Sequence, residues 1–318
     1  MKKLLLSILV LVAADSFAQQ DPQFTQNMFN KLSVNPGFAG VSNAYCATLI
    51  SRQQWLGFEG RPQTNLFSLD AKIRPFDRFN SGVGLTVWQD ELGFEKTINA
   101  KLAYAYHKNI GNGLLSVGLE GGIYNKSVDG DWITAGSNGL GDGTEDPFIP
   151  NSAVSNLTFD LGFGVYYATQ DYYVGISSTH LTAPTISASA ENSSLDYSLA
   201  RHFYVMGGYN INFSGPFVLK PSLFIKSDVS STQIDANVNL EYNELVWGGL
   251  SYRYEDAIAV LAGVNVPWFE GLKVGVSYDY NLSLLNDYNN GSLEFMVGYC
   301  YPIKNPLKVQ RYKSVRFL

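Results

Sequence analysis

Two cysteines, three histidines and one loop rich in acids are the residues of this chain whose types could do chemistry. Cys46 and Cys300 complete the thiol inventory, which permits one disulfide in an exported protein and no cysteine-held metal cluster. His107, His180 and His202 stand apart in the sequence. No HExxH, GxSxG or phosphate-cradling glycine loop accompanies them, and no paired carboxylates sit at a catalytic spacing. Residues distant in sequence could still meet on neighbouring strands as a hydrolase site, but no motif supports that reading. The loop over 127–156 holds Asp129, Asp131, Asp142, Glu145 and Asp146 among glycines. Hard oxygens at flexible positions can ligate calcium; yet no EF-hand spacing occurs, and acidic surface loops are usually only solvated. The reading is therefore of a protein that is not an enzyme and takes no cofactor.

The elements that would carry these residues are strands. Tyr 20, Phe 19 and Gly 30 are abundant, and charged residues make up only 16%. Aromatics suit pleated surfaces, and glycine suits turns and crowded strand interiors. A mean hydropathy of −0.04 is what alternation produces when apolar and polar residues share each strand. The net charge of −6 speaks against nucleic acid as a partner. The chain opens MKKLLLSILVLVAADSFAQQ: two lysines, an apolar run and a small-x-small site. Residues 1–18 are expected to be a cleaved secretory signal peptide, since the run is too short to span a bilayer as a helix.

Residues 19–42 show neither helical nor strand periodicity. They nevertheless carry Phe24, Met28, Phe29, Leu32 and Phe38, too many large apolar groups for a free tail, so a periplasmic or lumen-plugging segment is expected. Over 43–302 the sequence predicts about fourteen strands. In LTFDLGFGVYY, Leu157, Phe159, Leu161, Phe163, Val165 and Tyr167 share one face, with Asp160, Gly162 and Gly164 opposite. In SLEFMVGYCY, Leu293, Phe295, Val297, Tyr299 and Tyr301 oppose Glu294, Met296, Gly298 and Cys300. The two longest connections, about 127–156 and 181–197, fall on one side, whereas NIGNG, TQD and NFSGP on the other are short. Even strand number and loop length sorted by parity predict an all-β fold, a transmembrane antiparallel β-barrel in the outer membrane with its oily faces toward lipid. Residues 303–318 form a basic tail.

In such a barrel Arg52 must face the lumen, because a guanidinium facing lipid near midplane costs about 2–4 kcal/mol. Cys46 and Cys300, near the start of the first strand and the end of the last, would be neighbours across the closing seam. They are either a bridge or two small luminal residues.

Three stretches resemble the PorP/SprF family of type IX secretion membrane proteins, found in the Bacteroidetes lineage. They are QDPQFTQNMFNKLSVNPGFAG (20–40), SRQQWLGFEGRPQT (51–64) and SYDYNLSLLNDYNNGSLEFMVGYCY (277–301). DPFIP (146–150) leading into LGFGVYY (161–167) is similar in a weaker way. The resemblance implies a barrel that binds the C-terminal domain of a large secreted surface protein or adhesin. It would support export or attachment of that protein, in some species for gliding motility, alongside other type IX components. Candidate contacts are Trp55 and Phe58 in the second stretch, which could equally be a structural turn with interface aromatics, and the loop residues Trp132, Phe148, Ile149 and Tyr288. The alternative is an outer-membrane pore for small solutes.

Overall fold

The computed structural model describes residues 21–75, 79–128, 154–190 and 193–303. The signal peptide expected over 1–18, the acidic stretch from Asp129 to Asp146 and nearly all of the basic tail lie outside them. The chain forms β1 (Ala44–Gln53), β2 (Gln63–Ile73), β3 (Ser81–Leu92), β4 (Glu95–Ile110), β5 (Gly113–Val128), β6 (Val154–Ala168) and β7 (Tyr172–Thr179). A separate hairpin follows, β8 (Thr185–Ala190) with β9 (Ser193–Ser198). Then come β10 (His202–Tyr209), β11 (Ile211–Asn212), β12 (Phe217–Ser227), β13 (Thr232–Tyr242), β14 (Val246–Arg253), β15 (Ala257–Asn265), β16 (Leu272–Asn281) and β17 (Ser292–Pro302).

Each stave pairs antiparallel with its neighbours, β1 pairs with β17, and β10 pairs with β12, so the sheet has no open edge. β11 continues β10 after a break at Asn210, and both lie on β12. Counted as one stave, they make a closed barrel of fourteen. Closure removes the unpaired edge that an open sheet would expose.

Burial runs opposite to that of a water-soluble protein. Phe159 is 74% exposed, Leu119 63% and Val260 57%, all on the outer face. Arg52, Asp279 and Glu294 are almost wholly buried inside. An oily exterior around a charged interior is the pattern of a barrel solvated by lipid. The face of β17 that carries Phe295 and Val297 therefore looks outward, and the face with Glu294 and Met296 looks into the lumen.

All connections at one end, which include 74–80, 111–112, 169–171, 213–216, 243–245 and 266–271, are short. Asn243 and Glu244 both take positive φ, as a tight hairpin between twisted strands requires. The two longest connections, 129–153 and 180–201, leave from the opposite end. The hairpin β8–β9 within the second of these was not foreseen. Its sequence, TISASA and SSLDYS, is small and polar and lacks the apolar row that marks a lipid-facing strand.

The lumen holds the chain's own N-terminal residues. From Asp21 to Ala39 the backbone passes down the inside in three single 3-10 turns, Asn27–Phe29, Lys31–Ser33 and Pro36–Phe38, before entering β1. Phe24 packs in one luminal cluster with Ile50, Leu66, Trp88, Trp247, Leu261 and Met296. Leu32 and Ala39 pack in a second with Ala103 and Ala105. Burying each large side chain is worth about 1.5–3 kcal/mol.

Candidate functional site

The inner wall is built to hold this segment by its backbone. Strand alternation places Arg52, Asp279 and Glu294 on inward positions of β1, β16 and β17, and the register sets Arg52 opposite Glu294. Arg52 lies 2.8 Å from Asp279 and 3.1 Å from Glu294, with every partner buried. Arg253, from β14, bonds Asp235 and Asp279 at 3.3 Å each. The acids then reach inward. Glu294 accepts the backbone N–H groups of Thr25 and Gln26, both at 2.9 Å, while Thr25 Oγ1 donates to Asp279 at 2.6 Å. A buried carboxylate is tolerated when paired and fully hydrogen-bonded, and here the segment supplies part of that satisfaction.

A second anchor lies nearer the long-loop end. Asp21 is 2.8 Å from His180 Nε2, and Tyr204 donates to the same carboxylate at 2.8 Å. Lys226 donates to the Asp21 carbonyl. The other nitrogen of His180 is 2.7 Å from Asp160. Burial opposes charge on this imidazole, but Asp21 and Asp160 outweigh it and push its pKa up to about 10. Burial likewise works against the Asp21 carboxylate, yet His180 and His202 hold it well below the usual carboxylate range. Donor atoms of Asp21, His180 and His202 lie within 4.8 Å of one another, the spacing of a metal site. The hydrogen bonds already account for the arrangement. His202 faces the Ala200 carbonyl with Nδ1 and the Asp21 N–H with Nε2, and His180 is held between two acids.

Further down, Lys101 pairs with Glu120 at 2.8 Å and donates to the Ser33 carbonyl at 2.9 Å. Ser177 caps the Val34 carbonyl, Asn35 donates to the carbonyls of Val165 and Ile176, and Asp70 accepts the Gly40 N–H. Wall glycines allow the backbones to approach this closely. A Cβ at Gly82 would strike the Ala39 carbonyl, and one at Gly118 would strike Pro36 and Gly37.

Cys46 and Cys300 face each other across the β1–β17 seam and are joined by a disulfide. At the long-loop rim, Phe58 and Tyr288 are 49% and 73% exposed, while Trp55 is half-buried. The loops that bear them are tied together: Leu56 donates to the Gly291 carbonyl, and Asn290 donates to that of Leu56, both at 2.7 Å. Trp132, Phe148 and Ile149 lie outside the described residues, so nothing places them beside Trp55, Phe58 and Tyr288.

The sequence reading singled out Arg52 but missed its partners Asp279 and Glu294, the second guanidinium on Asp279, that of Arg253, and the Asp21–His180 anchor. The available signal was an ionisable residue at an inward position of an otherwise uncharged strand face, as with Glu294 in SLEFMVGYCY. Which of these groups would meet across the lumen is not written in any local spacing.

A closed antiparallel barrel with an apolar belt and a polar lumen defines the class: this is a membrane β-barrel of the outer-membrane type. The chain belongs to the family described as type IX secretion system membrane protein PorP/SprF, whose profile matches residues 16–299. Comparison with curated proteins finds no match. Among solved structures, the chain is similar to the toluene transporter TbuX of Ralstonia pickettii. There the identity is 11% and the TM-score 0.49, over 85% of this chain and 92% of the other. It is also similar to the CymD monoaromatic hydrocarbon channel, at 10% identity and a TM-score of 0.48 over 87% and 93% of the two chains. The translocator domain of the autotransporter NalP from Neisseria meningitidis matches at 14% identity and a TM-score of 0.45, over 87% and 96%.

Proposed function

We propose that this protein is a non-enzymatic, plugged barrel of the outer membrane. Through its long-loop rim it binds the C-terminal domain of a large secreted surface protein and supports export or surface attachment of that protein. The observation that carries the reading is a lumen filled by the chain's own residues 21–40 in a barrel of a secretion family. An occupied lumen suits a receptor better than a solute channel. It leaves the rim as working surface, and the rim offers Phe58, Tyr288 and Trp55; the sequence of the β5–β6 connection adds Trp132, Phe148 and Ile149. Aromatic groups of this kind serve as anchors at protein interfaces. The acids Asp129, Asp131, Asp142, Glu145 and Asp146 would select a basic patch on the client. The long loops then face outward and the short turns face the periplasm, in the usual sense for such barrels. In gliding species the client would be an adhesin.

Deletion of the gene tests this. The expected result is one large surface protein retained inside or shed into the medium, with general secretion intact and with that protein's C-terminal domain captured by the purified barrel. A client that stays on the surface, together with free conduction of small solutes by the purified barrel, would overturn the proposal in favour of the pore.

A further inference from the structure

The short-turn end of the lumen differs from the rest in how its cations are treated. Arg52, Arg253, Lys101 and Lys126 each lie on a carboxylate. Lys31, Lys220 and Lys273 instead line one cavity of about 230 Å3, together with Phe29, Tyr173 and Trp247. Among the described residues one carboxylate lines this cavity, Glu241, 3.0 Å from Lys220 and near enough to act on Lys273 as well. The Lys31 ammonium sits 3.7 Å from the centre of the Tyr173 ring and 5.6 Å from that of Phe38. Lys273 lies 5.1 Å from the Phe29 ring centre. Three ammonium groups against one carboxylate leave an uncompensated positive charge in a concave, partly apolar space. Burial first, then Lys220 and Lys273, lower the Lys31 pKa to about 7. The cavity opens through Phe29, Lys220, Glu241 and Lys273 onto a wider space of about 690 Å3 bounded by the short turns, with Glu244 and Glu270 among the turn residues at its margin. Ligands can therefore enter from that end.

We propose that this vestibule is a binding site for an organic anion, a carboxylate or phosphate carried on a flat apolar body. The charged head would complete the missing counter-charge among Lys31, Lys220 and Lys273, and the body would lie against Phe29, Tyr173 and Trp247. Low-dielectric walls that carry more positive than negative charge, here three lysines against Glu241, concentrate an anion, and aromatic faces add affinity for an apolar body. The site is separate from the long-loop rim, so the inference stands whether or not the rim binds a client.

The test uses the full mature chain in phosphate-free detergent, titrated with phenyl phosphate, benzoate and inorganic phosphate by calorimetry and by Trp fluorescence. Phenyl phosphate is expected to bind saturably and roughly tenfold more tightly than inorganic phosphate. Lys31→Met and Lys273→Met should each weaken it roughly tenfold or more, and Lys108→Met, on the outward face of β4 and so outside the lumen, should leave it unchanged. Binding above pH 7 should take up a proton, read from the dependence of the heat on buffer ionisation. Both cavity variants remove a charge from a crowded positive space, so they should keep the heat-modifiable migration of the folded barrel. A short-chain phosphatidic acid that displaces phenyl phosphate where benzoate does not would identify the natural source as a lipid head group. Displacement by benzoate alone would identify a soluble anion. Absence of saturable binding at about 10 mM, or binding unaffected by Lys31→Met and Lys273→Met, would overturn the proposal.

Discussion

Arg52 and Glu294 are direct partners across the β1–β17 seam, and their side chains meet at 3.1 Å inside the barrel. The same Glu294 carboxylate holds the backbone N–H groups of Thr25 and Gln26. One ion pair therefore joins the first stave, the last stave and the luminal segment.

Removing the guanidinium should be costly. Arg52→Met leaves Glu294 and Asp279 buried with too little positive charge, and breaking a buried pair from one side costs about 3–5 kcal/mol. The heat-modified band should appear at a clearly lower temperature than in the wild type. Arg52→Lys should recover only part of the loss, since an ammonium cannot span both acids as the fork does. An unchanged transition for Arg52→Met would mean that the network does not hold the seam.

The His180–Asp21 anchor sets a pH dependence. The His180 pKa is raised from 6.5 to about 10, so its contribution is complete below pH 6.5 and is lost as the pH rises through 10. The Asp21 pKa is lowered, so its contribution is present above 3.8 and is lost on acidification. Lys31 runs the other way: its depressed pKa makes the fold gain stability as the pH rises from about 7 toward 10.5. Subtracting the curve of His180→Ala from that of the wild type isolates the anchor. Hydrogen exchange of residues 21–26 should then accelerate between pH 7 and 10 in the wild type relative to the variant. Parallel curves would refute the anchor.

Close backbone packing predicts how the lumen could be opened. Gly82→Val and Gly118→Val place side chains where the Ala39 carbonyl and the Pro36–Gly37 backbone now lie. Planar-bilayer recordings should show the wild type nearly closed and both variants conducting, with residues 36–40 newly cut by protease. Gly121→Ala is the control, because its Cβ would meet only Leu161 at an ordinary 3.5 Å. Equal conductance in the wild type and all three variants would show that the segment does not limit passage.

Register places Cys46 against Cys300, and the bond joins residues 254 apart. Cross-links that close long loops typically stabilise by about 2–4 kcal/mol. Non-reduced peptide mapping should find the two cysteine peptides linked, and Cys46→Ser should lower the thermal transition without abolishing the barrel. Two free thiols in material kept from reductant would end this expectation.

Period-two alternation was enough to read the staves, because lipid outside and water or protein inside impose opposite demands on successive residues. Fourteen segments, the outward faces of Phe159 and Phe295 and the inward position of Arg52 were legible on that ground alone. The hairpin β8–β9 was not legible, since TISASA and SSLDYS carry no apolar row. Residues 19–42 showed that they needed burial, through Phe24 and Leu32, but not where. That choice belongs to the closed sheet. Only closure brings Glu294 within reach of Thr25, His180 within reach of Asp21 and Gly82 beneath Ala39, and those contacts join residues far apart in the chain. The Lys31, Lys220 and Lys273 cluster arises the same way, from three segments that share no motif and meet because the barrel has one interior.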